Sequence, residues 1–180
     1  YAEYTIAHKD FVYKLPEGLS PEHTAPLLCA GIIGYRAYKL AQTNKGEILG
    51  LYGFGASAHI TIQIAKYLGN RIFVFTRSKE HQELAISLGA EWVGDTFDTT
   101  PCKINSGIIF APAGEIVPKA LEDLEYGGRL VLAGIYMSPI PSLDYAKHLY
   151  YEKEIKTVTA NTREDGRELL ELAKRIPIST

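Results

Sequence analysis

Cysteine is scarce in this chain: only Cys29 and Cys102 occur among 180 residues. Two thiols make no disulfide framework, so a reducing cytoplasm is the expected compartment. Long apolar runs are missing too. The longest, from Ala25 to Tyr35, is interrupted by Pro26 and ends at Arg36, too short to cross a membrane. No signal peptide precedes it, so no membrane partner is expected. Nor is there an excess of one charge. The formal net charge is −2 and the pI about 6.2, which gives no electrostatic basis for holding nucleic acid. The 12 tyrosines form no stacking stripe that would replace it. Internal repeats and low-complexity linkers are absent. The first residue is Tyr1 rather than Met, which reads as a piece of a longer protein.

What is present is an ordinary globular composition, 46% hydrophobic and 22% charged, in a chain the size of one large domain. Its most informative stretch is Leu51-Tyr52-Gly53-Phe54-Gly55-Ala56-Ser57-Ala58-His59. Ile48 to Tyr52 before it is a short apolar run suited to a buried parallel strand. After it the apolar spacing becomes helical, through Ile60, Ile64, Tyr67 and Leu68, with Gly69 as the stop. Arg71 to Phe75 is the next buried strand. Strand, Gly-x-Gly-x-x-Ala, helix and strand within about thirty residues make the Rossmann fingerprint. Gly53 allows the tight turn, Gly55 lets the backbone approach a phosphate, and Ala58 keeps helix and strand close. A pyrophosphate would then face the free amides of Ala56 and Ser57 at the positive end of the helix. The alternative is a tight structural turn with no ligand.

Elsewhere the pattern alternates. Tyr1 to Ile6 and Phe11 to Lys14 read as short strand pieces, and Pro16-Glu17-Gly18 as a turn. Ser20 caps a helix with Pro21 at its first position, running to about Leu28. A second helix passes through Ile32, Tyr35 and Lys39 and closes near Asn44 to Gly46. Ser78 caps a helix stopped by Gly89, and Glu91 to Val93 is a short strand. Gly107 to Phe110 is a fourth strand, Val117 to Leu124 a helix, and Arg129 to Ala133 a fifth strand. Leu143 to Tyr151 reads as helical and Glu154 to Thr159 as a sixth strand. Thr162 to Asp165 is a capping box opening a last helix to about Arg175. Six strands with helices between them predict an α/β, doubly wound parallel sheet of order 3-2-1-4-5-6.

In such a sheet ligands bind at the carboxyl ends of the strands. That nominates Ala111-Pro112-Ala113 near a ribose and Ala133-Gly134-Ile135 near a nicotinamide. A carboxylate after the second strand would select NAD. This chain has Thr76, Arg77 and Ser78 there, two hydroxyls and a guanidinium suited to a 2′-phosphate. NADP is therefore expected ahead of NAD. The alternative is that Arg77 is a solvated arginine and Ser78 only a helix cap. His8, His23, His81 and His148 read as surface or helix residues, and His59 as either a packing or a phosphate-side residue.

Several segments together resemble the medium-chain dehydrogenase/reductase superfamily, in its zinc-dependent alcohol dehydrogenase branch. They are Tyr1 to Tyr4, Leu15 to Ser20, Leu27-Leu28-Cys29-Ala30-Gly31 with Gly34 to Ala37, and Ala58-His59 with Gln63 to Lys66. Leu88 to Glu91 and Gly127 to Val131 complete the set. The resemblance implies hydride transfer between an alcohol or aldehyde and a nicotinamide. It implies that zinc polarises the substrate oxygen in the full-length enzyme, with Cys29 as one ligand. A single thiolate does not hold a metal, and read from the residues alone Cys29 is a buried small apolar side chain. Where many members have a threonine four positions after that cysteine, this chain has Ile33. The resemblance divides the chain into a connector from a catalytic domain (1–20), a dinucleotide-binding domain (21–175) and the start of a return segment (176–180). It puts no catalytic residue in this piece, which alone would be inactive, and it implies a homodimer through the sixth strand. The rival readings are a zinc-free quinone or enoyl reductase of the same superfamily, a non-enzymatic nucleotide sensor and a methyltransferase. Cys29, the family-like lead-in and Thr76 respectively speak against them.

Overall fold

Ile48–Tyr52 contains no charged residue and forms β1, every position of which is buried. A strand buried on both faces needs neighbours on both edges and helices above and below it. β1 pairs in parallel with β2 (Arg71–Phe75) on one edge and with β4 (Ile104–Ile109) on the other. β3 (Trp92–Gly94) lies outside β2, and β5 (Leu124–Leu132) followed by β6 (Glu154–Thr157) lies outside β4. The order is therefore β3-β2-β1-β4-β5-β6, all parallel, as the sequence predicts. The computed structural model describes residues 2–180, and Tyr1 lies outside them.

Alternation along the strands sorts the core into two layers. Leu49, Leu51, Ile72 and Val74 point to a layer closed by α2 (Ala30–Ala41), α3 (Ala56–Tyr67) and Ala85 of α4 (Lys79–Ser87). Ile48, Tyr52, Phe73 and Phe75 point the other way, onto Val117, Ala120 and Leu121 of α5 (Ile116–Asp123). A third cluster joins α2 and α3 to α7 (Arg163–Ala173) through Tyr35, Ile60, Ile64 and Leu169. α7 opens on the capping box read from Thr162 and Asp165. No helix among the described residues is long and apolar enough to cross a membrane.

The departures have local causes. Among the described residues no strand forms before Ile48: Lys9–Phe11 is a 3-10 turn, and the expected strand pieces around it find no partner there. The helix expected to Leu28 splits into α1 (Pro21–Thr24) and a 3-10 turn, Ala25–Leu28, because Pro26 has no N–H to donate to the carbonyl one turn back. Ser20 does not cap it; its hydroxyl donates to the Glu22 carboxylate. α5 stops at Asp123 because Leu124 is already extended and starts β5. A register shift then separates the Ile104–Leu124 pair from the Ser106–Arg129 pair, so β5 begins well before Arg129. The stretch expected to be helical from Leu143 is only α6 (Tyr145–His148), β6 ends at Thr157, and α7 ends at Ala173.

Candidate functional site

The carboxyl ends of β1, β2, β4 and β5 open onto two adjoining clefts of about 460 and 470 Å³. Gly53, Ala111 and Pro112 border both, so the two meet at the glycine turn. The first runs past Thr76, Arg77 and Ser78 toward His81, Thr96 and Phe97, with Ala113 and Glu115 on the α5 side. The second runs past Gly55, Ala56, Ser57 and Ala58 to Ile33, Phe110, Ala133 and Ile135.

The glycines act differently. Gly53 sits at φ +86°, a left-handed conformation that favours glycine, and its N–H donates to the Phe75 carbonyl at 2.9 Å. Gly55 has an extended backbone open to any residue, at φ −91° and ψ −166°. A Cβ built on it would meet nothing within 4 Å. The space above Gly55 is thus a cradle that a side chain would fill. No side chain caps α3, and its first internal bond is from His59 N–H to the Gly55 carbonyl, at 2.9 Å. The amides of Ala56, Ser57 and Ala58 precede that bond and are available to an anion. This arrangement fits a pyrophosphate.

Below the turn, β1 and β2 are locked together. Tyr52 stacks on its register partner Phe75, with centroids 4.0 Å apart and planes 9° from parallel. The Tyr52 hydroxyl donates to Asp123 Oδ2 at 2.8 Å, and Lys119 Nζ donates to the same oxygen at 2.6 Å. Burial, reinforced by the Asp123 carboxylate, pushes the Tyr52 phenol well above its usual range. Thr76 is buried; its N–H bonds Gly94 O at 2.9 Å and its carbonyl accepts from Gln82 Nε2 at 2.7 Å. The end of β2 is therefore fixed before any ligand arrives.

Most of the residues nominated from sequence come together here: Gly53, Gly55, Ala56, Ser57, Ala58, Thr76, Arg77, Ser78, Ala111, Pro112 and Ile135. Gly134 does not line the cleft. It packs behind it, where a Cβ would stand 2.9 Å from the Ala111 carbonyl oxygen. Ser78 does cap α4, accepting from His81 N–H at 3.3 Å, and it lines the cleft as well. Arg77 is exposed and, among the described residues, pairs with no carboxylate, whereas Glu91 and Glu154 hold Arg71 and Arg129. His81, which from sequence reads as a surface or helix residue, lines the first cleft together with Thr96 and Phe97, which carry no sequence signal. For His81 the available signal was its place three residues after the capping Ser78, on the same helical turn. His59 lies outside both clefts, and partial burial lowers its imidazole pKa.

Cys29 is exposed rather than buried, at the residue preceding α2. Its carbonyl accepts from Ile33 N–H at 3.4 Å, and Ile33 lines the second cleft. Cys29 thus stands one helical turn before a residue that lines the second cleft. Among the described residues no group of three or more His, Cys, Asp or Glu could hold a metal ion, so these residues do not by themselves make a zinc site.

A family model described as zinc-binding dehydrogenase matches residues 58–175. The chain belongs to that family. Within the zinc-binding dehydrogenases it is 47% identical over 173 residues to a probable alcohol dehydrogenase from Mycobacterium tuberculosis, covering 96% of this chain and 50% of that protein. It is 32% identical to an alcohol dehydrogenase from Geobacillus stearothermophilus over 97% of this chain and 54% of that one. Among solved structures, a cinnamyl alcohol dehydrogenase from Sorghum bicolor superposes with a TM-score of 0.84 at 26% identity, over 93% of this chain and 49% of that one. The chain thus spans about half the length of the curated relatives it matches.

Proposed function

We propose that this chain is the cofactor-binding part of an NADP-dependent alcohol dehydrogenase that moves a hydride between an alcohol or aldehyde and a nicotinamide. The observation that carries the reading is the open cradle over Gly55 at the uncapped start of α3, in the cleft that meets its neighbour at Gly53, Ala111 and Pro112. In it the amides of Ala56 to Ala58 meet the pyrophosphate. Thr76, Arg77 and Ser78 meet the adenosine ribose and its 2′-phosphate, and Ala111 and Pro112 form the wall between the halves. Ile33 and Ile135 flank the nicotinamide and keep water from one side of it. Bound there, the nicotinamide supplies or accepts the hydride; the protein's work is binding and orientation.

Cys29 contributes one thiolate to a zinc site completed by residues outside this chain. Residues 1–20 and 176–180 belong to the junction with that second part and residues 21–175 to the cofactor domain. Tyr4, Ile6 and Phe11 are exposed apolar side chains suited to being covered. β6 is an exposed outer edge, which suits pairing with a second copy.

The test is aldehyde reduction by the whole protein, followed as loss of reduced-nicotinamide absorbance, with NADPH and with NADH. Turnover that is faster with NADPH and abolished by Gly55→Leu supports the reading. Equal turnover in the variant sinks the pyrophosphate assignment.

A further inference from the structure

The proposed 2′-phosphate seat contains a second unengaged nitrogen donor. His81 projects from the first turn of α4 into the cleft lined by Thr76, Arg77 and Ser78. Its backbone is fixed there by the 3.3 Å bond from its N–H to Ser78 Oγ. Its ring leans edge-on against Phe54, the residue between the two turn glycines, with centroids 6.5 Å apart. Among the described residues neither ring nitrogen has a hydrogen-bond partner, and Arg77 has no carboxylate. A guanidinium and an imidazole thus border one cleft, four positions apart in the chain, with nothing among the described residues satisfying either.

The geometry points to His81 as a second determinant of NADPH over NADH, its imidazole donating to the 2′-phosphate beside Arg77. This rests on the NADP reading proposed above. A dianionic phosphate has more acceptor sites than one guanidinium fills, and each charge-assisted bond is stronger than a neutral one. NADH presents a neutral hydroxyl at that point and gains much less from a second donor. The single carboxylate lining this cleft, Glu115, stands across it at the start of α5 and accepts from Ser138 Oγ at 3.3 Å. Among the described residues it forms no ion pair with Arg77 or His81. The imidazole lies nearer the adenosine side than the nicotinamide side, since it borders only the first of the two clefts.

The experiment is fluorescence titration of the whole protein with NADPH and with NADH, in the wild type and in Arg77→Ala, His81→Ala and His81→Lys. His81→Ala is expected to weaken NADPH about tenfold, the worth of one charge-assisted bond, and NADH less than about twofold. His81→Lys, which keeps a donor, is expected to retain most of the NADPH affinity. Equal loss for both cofactors would mean that His81 serves a part they share, or the fold, and would overturn the proposal. So would no change for either. If the wild type does not prefer NADPH, or Arg77→Ala leaves a preference untouched, the NADP reading itself has failed. A preference lost in Arg77→Ala but kept in His81→Ala removes only His81.

Discussion

Gly53 rests directly on Ala111: a Cβ placed on Gly53 would stand 3.0 Å from the Ala111 amide nitrogen and 3.1 Å from its Cβ. The glycine turn after β1 and the loop after β4 are therefore in van der Waals contact, and the floor shared by both clefts is that contact. Gly53→Ala adds a clash with backbone to a left-handed φ. It is expected to cost about 2–4 kcal/mol, lowering Tm by several degrees, and to weaken both cofactors together. Thermal melts with and without NADPH check both parts.

Gly55→Leu separates binding from folding. The backbone there accepts any residue and the space above it is open, so Tm is expected to stay within about 2 °C of the wild type. Cofactor affinity should fall at least about a hundredfold, because the side chain occupies the pyrophosphate position. Circular dichroism melts paired with titration read the two effects independently.

Tyr52→Phe tests the lock between β1 and α5. The variant keeps the stack on Phe75 but removes the hydroxyl that donates to Asp123. The loss of a buried bond to a charged group is expected to cost about 2 kcal/mol, measured by urea unfolding. Lys119 still holds the carboxylate, so the fold survives.

Asp165 sets an acid dependence. Its carboxylate is fully buried, and that burial alone would push its pKa up. Hydrogen bonds from Thr162 N–H and Oγ1, each 2.7 Å, and the Lys39 ammonium 3.1 Å from Oδ1 outweigh burial and hold it below the ordinary value. A pKa lower in the folded than in the unfolded chain means stability present above the unfolded value and lost as pH falls below it. Asp165→Asn is expected to lose about 2 kcal/mol at pH 7, roughly 4–8 °C in Tm. The gap should narrow as pH falls below about 4, where the carboxyl of the unfolded chain takes up a proton that the folded one resists. Melts at both pH values check the sign.

The sheet and the turn were legible because their signals are local. The uncharged run Ile48 to Tyr52, the glycine spacing and the caps Ser78 and Thr162 each report on residues a few positions away. The same reasoning missed what long-range contact decides. Extended segments before Ile48 look like strands but, among the described residues, have no neighbour to pair with. Gly134 looks like a cleft residue but is consumed by packing on Ala111. His81 looks like an exposed helix residue, yet the approach of α4 to Phe54 turns it into the cleft. Pro26 is a different case, since a local rule broke the helix and composition alone carried that warning.

The most direct test of the dinucleotide reading is calorimetric titration of the whole protein with NADPH and NADH, for the wild type and Arg77→Ala in one buffer. The account predicts that the wild type binds both, NADPH more tightly, and that Arg77→Ala removes most of the difference without changing NADH. Binding of neither cofactor, or an NADPH preference that survives Arg77→Ala unchanged, would contradict it.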